Sequence, residues 1–280
     1  MITHNGTYLL HATHHGMPIV AATMGGKMVF GGKWLPSATL QAIVAAFGAE
    51  GTEVIAKTND YLNRIATTDP QRALLLAGFI NEDPMLVCSL VETSKTRWLD
   101  NGGTYAYIDT GLTTDKNCQY MKASVKVQFF KTSGTYYMLA NSTLNFNRNN
   151  QNIATGTIGN IYTFSTGEPL DIYVLASPST SKKGFGVNGV EKISTFDNPM
   201  PSAYKIFLFA LGTDTLYSQT AERVTFAHAK IEKDGVMLRE MYPFIRNGVN
   251  GMLDIISGTF YPNANTEGSF TIALTPKTTS

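Results

Sequence analysis

The chain has 280 residues, a formal net charge of +1 and only 15% charged residues. This length permits one large all-β domain or two smaller ones. Phosphate recognition needs clustered Lys and Arg, and no basic block occurs, so we expect no nucleic-acid partner. Apolar residues make up 43% of the chain, enough for a substantial core.

Neither a leader nor a membrane span is indicated. The N-terminal segment lacks the basic and apolar pattern of a signal peptide, and apolar stretches such as Ala73–Ile80 are too short to cross a bilayer. We therefore expect the chain to stay in the cytoplasm unless it leaves as part of an assembly. Cys88 and Cys118 are too few for a disulfide scaffold, so we expect two free, mostly buried thiols.

The first 34 residues are predicted to form short strands with little core of their own. Met17–Ala22 and Lys27–Phe30 are apolar runs, and the glycine pair between them, Gly25 and Gly26, is a turn signal. This pattern predicts a β-hairpin.

Three short helices are predicted next. Ser37 is expected to cap a helix that ends at Phe47, a second helix covers Thr52–Thr67, and Asp69 with Pro70 starts a third, Gln71–Ile80. Met85–Val91 is predicted as a strand. Helices this short need packing against other elements to persist, which favours an assembly role.

A polar, glycine-rich segment at residues 93–104 suggests a domain boundary near residue 98. We therefore predict a small mixed α/β attachment region over residues 1–98 and a β domain over residues 99–280.

The β domain is predicted from alternation. Along Met121–Phe129, apolar and polar residues alternate strictly, as a half-buried antiparallel strand requires. Asn188-Gly189 and Asp234-Gly235 are hairpin-turn signals, and a parity change predicts a bulge near Phe226. Further strands are predicted at Tyr105–Asp109, Tyr136–Ala140, Thr143–Asn147, Ile161–Phe164, Leu170–Leu175, Gly184–Val187, Tyr204–Leu211, Val224–Glu232, Val236–Tyr242, Gly251–Ile255, Thr259–Tyr261 and Phe270–Leu274.

So many strands without a long helix predict a mainly β fold. The expected architecture is an antiparallel two-sheet β-sandwich of the jelly-roll type, preceded by the small N-terminal region.

Several segments of the β domain carry a resemblance to a known family. They are Tyr107–Gly111 (YIDTG), Val187–Gly189, Ile206–Leu211, Lys230-Ile231, Asp234–Arg239 (DGVMLR), Tyr242-Pro243, Gly251–Asp254 (GMLD), Gly258–Asn263 and Gly268–Phe270. In order and spacing, over roughly residues 105–272, they resemble the laminin-G-like, concanavalin A-like modules of phage and prophage structural proteins. Met17–Phe30 is similar to short N-terminal segments of virion and tail-associated proteins.

The resemblance implies a lectin-type sandwich and display on a virion, with adhesion or sugar binding and without catalysis. Our leading hypothesis is a non-enzymatic component of a tailed-phage virion: a head fibre, capsid-attached or tail-associated protein. Residues 1–98 would dock on other virion proteins, and the sandwich would face outward, where it can contact host glycans. The resemblance also implies a homo-oligomer, with a trimer favoured. The alternatives are a glycan-processing enzyme on the same sandwich and a soluble carbohydrate-binding module.

No catalytic, cofactor or metal site is predicted. Glu232 and Asp234 are two residues apart, as a glycosidase pair on one strand would be, but they flank a turn signal and are expected to be solvated. His11, His14 and His15 can bind a transition metal or form an exposed cluster, and no acidic or Cys ligand lies near them in the sequence. His228 is expected to be a satisfied core or sheet-surface histidine.

Calcium is common in lectin-like sandwiches, and the metal-free form is our expectation because no compact acidic loop is present. The candidate ligands are Asp109, Asp115, Asp171, Asp197, Asp214 and Asp254.

Tyrosines can form a stacking platform for sugar rings, although strand tyrosines more often fill the core. The candidates are Tyr105, Tyr107, Tyr136, Tyr137, Tyr162, Tyr173 and Tyr204. Trp34 and Trp98, each near a predicted boundary, can act as packing anchors.

Overall fold

The structure, a computed structural model, describes part of the chain. Backbone is described for residues 2–4, 7–14, 17–24, 27–29, 34–130, 135–140, 146–149, 152–155, 159–195, 204–212, 216–219 and 223–277, and side chains for 34–130, 162–195, 204–210 and 223–277. The chain divides into two compact units, Met1–Thr96 together with Pro276–Ser280, and Arg97–Thr275.

The first unit begins with a four-stranded antiparallel meander in the order β1-β2-β3-β4. Its strands are β1 (Ile2–His4), β2 (Thr7–His14), β3 (Met17–Met24) and β4 (Lys27–Val29). The predicted hairpin corresponds to β3 and β4, which pair through Ala22 and Val29. β1 and β2 agree with the prediction of short strands over the first 34 residues, although their bounds were not predicted. The predicted glycine turn at residues 25 and 26 lies outside the described residues.

Helices complete the first unit: α1 (Ser37–Phe47), α2 (Gly51–Ala66), α3 (Pro70–Glu82) and α4 (Val87–Leu90). The first three match the predicted helices. The predicted cap of α1 is wrong, because Pro36 occupies the N-cap position and no side chain caps the helix. The predicted cap of α3 is confirmed, since the Asp69 carboxylate accepts a hydrogen bond from the Arg72 amide at 3.0 Å.

The predicted strand at Met85–Val91 is wrong. Residues Pro84–Leu86 form a 3₁₀ turn and α4 follows directly. The Asp83 carboxylate accepts a hydrogen bond from the Met85 amide, and Pro84 supplies a helical φ angle, so the segment starts as a helical turn. The adjacent Leu86 and Val87 are both buried, whereas a strand with one buried face would expose one of them.

The second unit is built from strands, and β5 and β22 each extend into the first unit. They are β5 (Lys95–Asp100), β6 (Ile108–Thr113), β7 (Met121–Phe129), β8 (Thr135–Ala140), β9 (Phe146–Asn149), β10 (Asn152–Thr155), β11 (Gly159–Thr163), β12 (Leu170–Ser177), β13 (Lys182–Val187), β14 (Val190–Thr195), β15 (Lys205–Leu208), β16 (Ala210–Gly212), β17 (Leu216–Gln219), β18 (Val224–Lys233), β19 (Val236–Arg246), β20 (Val249–Asp254), β21 (Phe260–Pro262) and β22 (Thr271–Pro276). β5 runs through the segment at which we predicted the boundary.

Two antiparallel sheets carry the fold. The larger has the order β14-β13-β12-β7-β18-β19-β20-β21, with β5 pairing to β18 and β22 pairing to β5. The smaller has the order β11-β10-β9-β8-β15-β6. This confirms the mainly β, two-sheet jelly-roll prediction.

The core lies on one face of the larger sheet. Burial alternates without exception along β7, where Met121, Ala123, Val125, Val127 and Phe129 are buried. Apolar residues of the smaller sheet belong to the same buried cluster; they include Ile108, Ile206 and Leu208. The opposite parity of β7, β12 and β18 therefore defines a second face that points away from the core.

Turn chemistry in the second unit follows the sequence. Asn188-Gly189 and Asp234-Gly235 have positive φ at both residues, as two-residue hairpin turns require. The predicted bulge is confirmed, because the register between β18 and β7 shifts between Phe226 and His228.

The predicted strand Tyr204–Leu211 is interrupted. Phe209 has φ +65°, which separates β15 from β16. Its fully buried ring lies 4.3 Å from the ring of Phe226 and 5.1 Å from that of Phe270, centroid to centroid. Aromatic packing in the core thus holds a backbone conformation that a bulky residue rarely adopts.

Candidate functional site

The side chains of the larger sheet that point away from the core form a mainly polar surface, here called the platform face. By strand register it includes Lys122, Ser124, Lys126, Asp171, Tyr173, Lys182, Glu191, His228, Lys230, Glu232 and Glu240, and the apolar Leu175 and Ile193 lie on the same face. Strand register brings them together, since Tyr173 pairs with Ser124 and Ser124 with Lys230.

One row crosses the middle of the platform face. Glu191 pairs with Gly186, Gly186 with Tyr173, and Lys230 with Glu240 at the far end. The row therefore crosses six adjacent strands, which at about 4.8 Å per strand spacing is roughly 24 Å.

Tyr173 is held in this row by a glycine. Its ring lies over Gly186 on the neighbouring strand, and a β-carbon at Gly186 would lie only 2.8 Å from Tyr173 Cζ. The ring therefore occupies space that any other residue at position 186 would fill. Lys122 Nζ lies 4.5 Å from the centroid of the same ring. The result is a half-buried aromatic ring within a polar surface.

Most charges on the platform face are paired. Lys126 Nζ lies 3.8 Å from Asp171 Oδ2, and Lys230 Nζ lies 3.0 Å from Glu240 Oε1. Glu232 accepts a hydrogen bond from the Tyr120 hydroxyl. Counting all members, four ammonium groups face four carboxylates, so the formal net charge of the platform face is zero.

His228 adds no charge at neutral pH. It lies beside the bulge of β18, opposite Lys126, with its ring centroid 6.4 Å from that of Tyr242. Burial, followed by repulsion from Lys230, lowers the pKa of His228 to about 4. The structure thus places it on the outward sheet surface as a neutral imidazole.

The calcium candidates within the described residues are engaged by protein groups. Asp109 pairs with Lys205, Asp115 with Lys233, and Asp171 with Lys126. The Asn117 amide and Lys233 lower the pKa of Asp115. In the part of the chain that is described, no three His, Cys, Asp or Glu residues cluster closely enough to hold a metal ion. Asp197 and Asp214 lie outside it.

The acidic pair at the hairpin has a structural role. Asp234 accepts a hydrogen bond from the Tyr120 amide, and Glu232 accepts one from its hydroxyl. The two carboxylates therefore fasten the β18–β19 hairpin to Tyr120. Of the histidine cluster, His11 and His14 lie in β2, where side chains are not described, and His15 lies outside the described residues.

The tyrosine candidates separate into different environments. Tyr105 is 47% exposed in a loop, Tyr107 packs edge-on against Phe207, and the Tyr162 hydroxyl donates to Glu168. Tyr204 is half-buried, and the side chains of Tyr136 and Tyr137 are not described. Among these candidates with described side chains, Tyr173 is the one that register places on the platform face, contrary to the core role expected for strand tyrosines.

A sequence signal for Tyr173 existed. In β12 it alternates with Ile172 and Val174, which are both buried, so its parity alone points it away from the core. Its contact with Gly186 had no such signal, because it depends on the pairing of β12 with β13.

The two tryptophans are packing residues. Trp34 Nε1 donates to Asn63 Oδ1 at 2.8 Å within the first unit. Trp98 is buried, and its Nε1 donates to Thr275 Oγ1 at 3.0 Å within the second.

The first unit has an open cleft of about 600 Å³ between α2 and the segment after α4. It is lined by Lys57, Asp60, Asn63, Arg64, Leu90, Val91 and Glu92. Its lining carries as many cationic as acidic side chains, and Lys57 is already paired with Glu53 at 2.7 Å. The cleft therefore indicates no particular ligand chemistry.

Within the described ranges, no single helix has the length and apolar character to cross a bilayer. α3 and the helical residues 84–90 reach the length and apolar character of a membrane span only when they are counted together. The two segments are bent by 120° relative to each other.

No family model and no curated protein matches the chain. Among solved structures, it is similar to a protein from Bacteroides ovatus described as carbohydrate-binding, with 9% identity and a TM-score of 0.45 over 66% of this chain and 60% of that one. The chain thus spans about 60% of that protein's length. It is also similar to a heptameric pentraxin from Limulus polyphemus, with 8% identity and a TM-score of 0.36 over 66% of this chain and 91% of that one.

A third similar structure is the pair of domains LG4-5 of the mouse laminin α1 chain, with 14% identity and a TM-score of 0.35 over 59% of this chain and 50% of that one. Likenesses this distant support no statement about a ligand, which has to come from the residues of the platform face.

Proposed function

We propose that this protein is a non-enzymatic glycan-binding protein and that its sandwich binds sugar through the platform face. The observation that carries the proposal is the ring of Tyr173 lying over Gly186 in a row of hydrogen-bonding side chains. Sugar rings present apolar C–H faces that stack on an aromatic ring, while their hydroxyls need donors and acceptors around it. The platform face supplies both.

The surroundings of two described carboxylates on the platform face support a non-enzymatic role, because protein groups already engage both. Glu240 is held by Lys230 and by the Tyr242 hydroxyl, which donates to Glu240 Oε1 at 2.8 Å. Asp171 is 63% exposed beside Lys126.

The placement of the protein on a tailed-phage virion is part of the proposal and rests on the sequence resemblance alone. In this proposal residues 1–98 dock on other virion proteins, the chain forms a homo-oligomer, with a trimer favoured, and the sandwich is displayed outward. Immunolabelling of purified particles tests the placement separately from glycan binding. A chain that binds glycans and is not incorporated into particles would be a soluble carbohydrate-binding module.

Glycan-array binding of the full chain tests the proposed function. Tyr173→Ala should weaken binding about fivefold or more, since one stacked ring contributes on the order of 1 kcal/mol or more. Tyr173→Phe should keep most of the affinity. Tyr105→Ala, which removes an exposed tyrosine from a loop, is the matched control and should change binding less than about twofold.

Two outcomes would contradict the proposal. Equal binding by wild type and Tyr173→Ala would remove the platform face from the interaction. Depolymerisation of a bound glycan that is abolished by Glu240→Gln or Asp171→Asn would show the alternative, a glycan-processing enzyme on the same sandwich.

A further inference from the structure

We infer that the platform face binds an uncharged polysaccharide chain that runs across the strands, and that it rejects acidic glycans. This inference rests on the proposed function and names the class of its ligand.

Charge is the first argument. The platform face carries four carboxylates and four ammonium groups, so it has no net positive charge to attract an acid, and Lys126 and Lys230 already lie within 4.0 Å of a carboxylate. Lys122 makes no ion pair with any described residue, but Glu232 stands opposite it on β18. A uronate or sulfate group brought to Lys122 would therefore meet a carboxylate at the same place. Because like charges repel, the surface disfavours an acidic sugar.

Hydrogen-bonding capacity is the second argument. Within the described ranges, neither the Ser124 hydroxyl nor the Tyr173 hydroxyl has a hydrogen-bond partner, and both can donate and accept. Lys122 adds a donor, and the exposed carboxylate of Glu191 adds an acceptor at the edge of the row. Neutral sugar hydroxyls also donate and accept, so a mixed surface of this kind matches them.

The shape of the surface, set by the sizes of its side chains, is the third argument. Ser124 is the small residue of β7 on this face, between the long side chains of Lys122 and Lys126. Gly186 on β13 leaves room for the ring of Tyr173, which occupies the space above it. The central row therefore has a shallow trough at Ser124, bordered by Lys122, Lys126 and Tyr173. A path of roughly 24 Å is several times the length of one sugar residue, so it suits a polymer.

Binding of the full chain to four soluble polysaccharides tests the inference: mannan and β-glucan as neutral chains, polygalacturonate as a carboxylated one, and dextran sulfate. We expect a neutral chain to bind, with an affinity that changes less than about twofold between low and physiological salt, because no charge pairing is formed. Short oligosaccharides of the bound polymer should bind at least about tenfold more weakly than the polymer.

Two variants locate the trough. Ser124→Gln should reduce neutral-chain binding about tenfold by filling it, whereas Thr195→Gln, at an exposed position on β14 of the same sheet, should leave binding unchanged. Glu191→Gln with Glu232→Gln should increase binding of polygalacturonate, since two carboxylates are removed.

The outcomes separate the inference from the proposed function. Salt-sensitive binding of polygalacturonate or dextran sulfate that needs Tyr173 would overturn the inference and leave glycan binding in place. Binding of a monosaccharide as tight as that of its polymer would overturn the chain-length part. Failure of all four polysaccharides to bind, together with an empty glycan array, would overturn the proposed function itself.

Discussion

Arg239 and Asp254 meet across β19 and β20, with Arg239 Nε 3.6 Å from Asp254 Oδ2. Asp254 is fully buried, and its carboxylate accepts hydrogen bonds from the amides of Glu240 and Ile256 and from the Ser257 hydroxyl. Both residues belong to segments that carry the laminin-G-like resemblance. At these two positions, the segments that carry the resemblance therefore stabilise the sandwich. The ligand site has to be sought elsewhere on it.

Substitution of Asp254 should be costly. Asp254→Ala leaves several buried donors and the Arg239 guanidinium without their acceptor, so we expect a loss of about 3 kcal/mol or more in the free energy of unfolding. Urea denaturation at pH 7 measures it. Asp171→Ala, which removes an exposed carboxylate 3.8 Å from Lys126, is the control and should cost less than about 1 kcal/mol. Equal effects of the two substitutions would contradict a structural role for Asp254.

The contact between Tyr173 and Gly186 should appear as a coupling energy. Gly186→Ala places a β-carbon into the tyrosine ring, and we expect it to destabilise the protein by about 1–3 kcal/mol. In a Tyr173→Ala background the same change should cost almost nothing, because the space is free. A double-mutant cycle by urea denaturation measures the difference.

Gly184→Ala is the matched control on the same strand. A β-carbon there would lie 3.4 Å from Ile193 Cγ1 and 3.5 Å from Leu175, an ordinary packing distance. It should therefore be much milder than Gly186→Ala. If the two alanine variants are equally stable, the ring of Tyr173 does not occupy the space above Gly186.

Predictions from the sequence succeeded where local chemistry decides the structure. The alternation of Met121–Phe129 reappears residue for residue as the burial pattern of β7, and the positive φ angles of Asn188-Gly189 follow from residues that tolerate them. They failed where tertiary packing decides. Phe209 is held at positive φ by Phe226 and Phe270, and nothing in its neighbourhood along the chain indicates that break.

The sequence predicts only part of the candidate site. Alternation alone places Tyr173 and Ser124 away from the core, since each follows the parity of a half-buried strand. That they share a row with Gly186 and Lys230 depends on the pairing of β13, β12, β7 and β18, a set of long-range choices that single-sequence periodicity does not encode.

Stability should depend on pH through His228. Its pKa is about 4 in the folded protein and near 6.5 when unfolded, so the unfolded chain binds the proton more readily. Stability contributed by the neutral imidazole is fully present above pH 6.5 and is lost as pH falls from 6.5 through 4. The loss is at most about 3 kcal/mol, at about 1.4 kcal/mol per pKa unit.

His228→Gln isolates this contribution because glutamine does not titrate. Urea denaturation of both proteins at several pH values between 7 and 4 should give curves that converge as pH falls, since wild type loses the imidazole contribution and the variant has none to lose. A constant difference between the two curves would show that His228 titrates normally in the folded state.

The Cys118 thiol should react slowly with alkylating reagents in the folded protein. Its thiol is buried, and burial, with the carboxylates of Asp234 and Asp115, raises the pKa of Cys118 to about 11. The thiolate is the reactive form, so at pH 8 both a low thiolate fraction and poor access should slow alkylation. Mass spectrometry after timed iodoacetamide treatment should show Cys118 modified at least about tenfold more slowly than the partly exposed Cys88.

In urea the two rates should become similar, and a Cys88→Ser variant removes the competing signal. Equal labelling of both cysteines in the native protein would mean that the end of the sandwich around Cys118 opens readily to solvent.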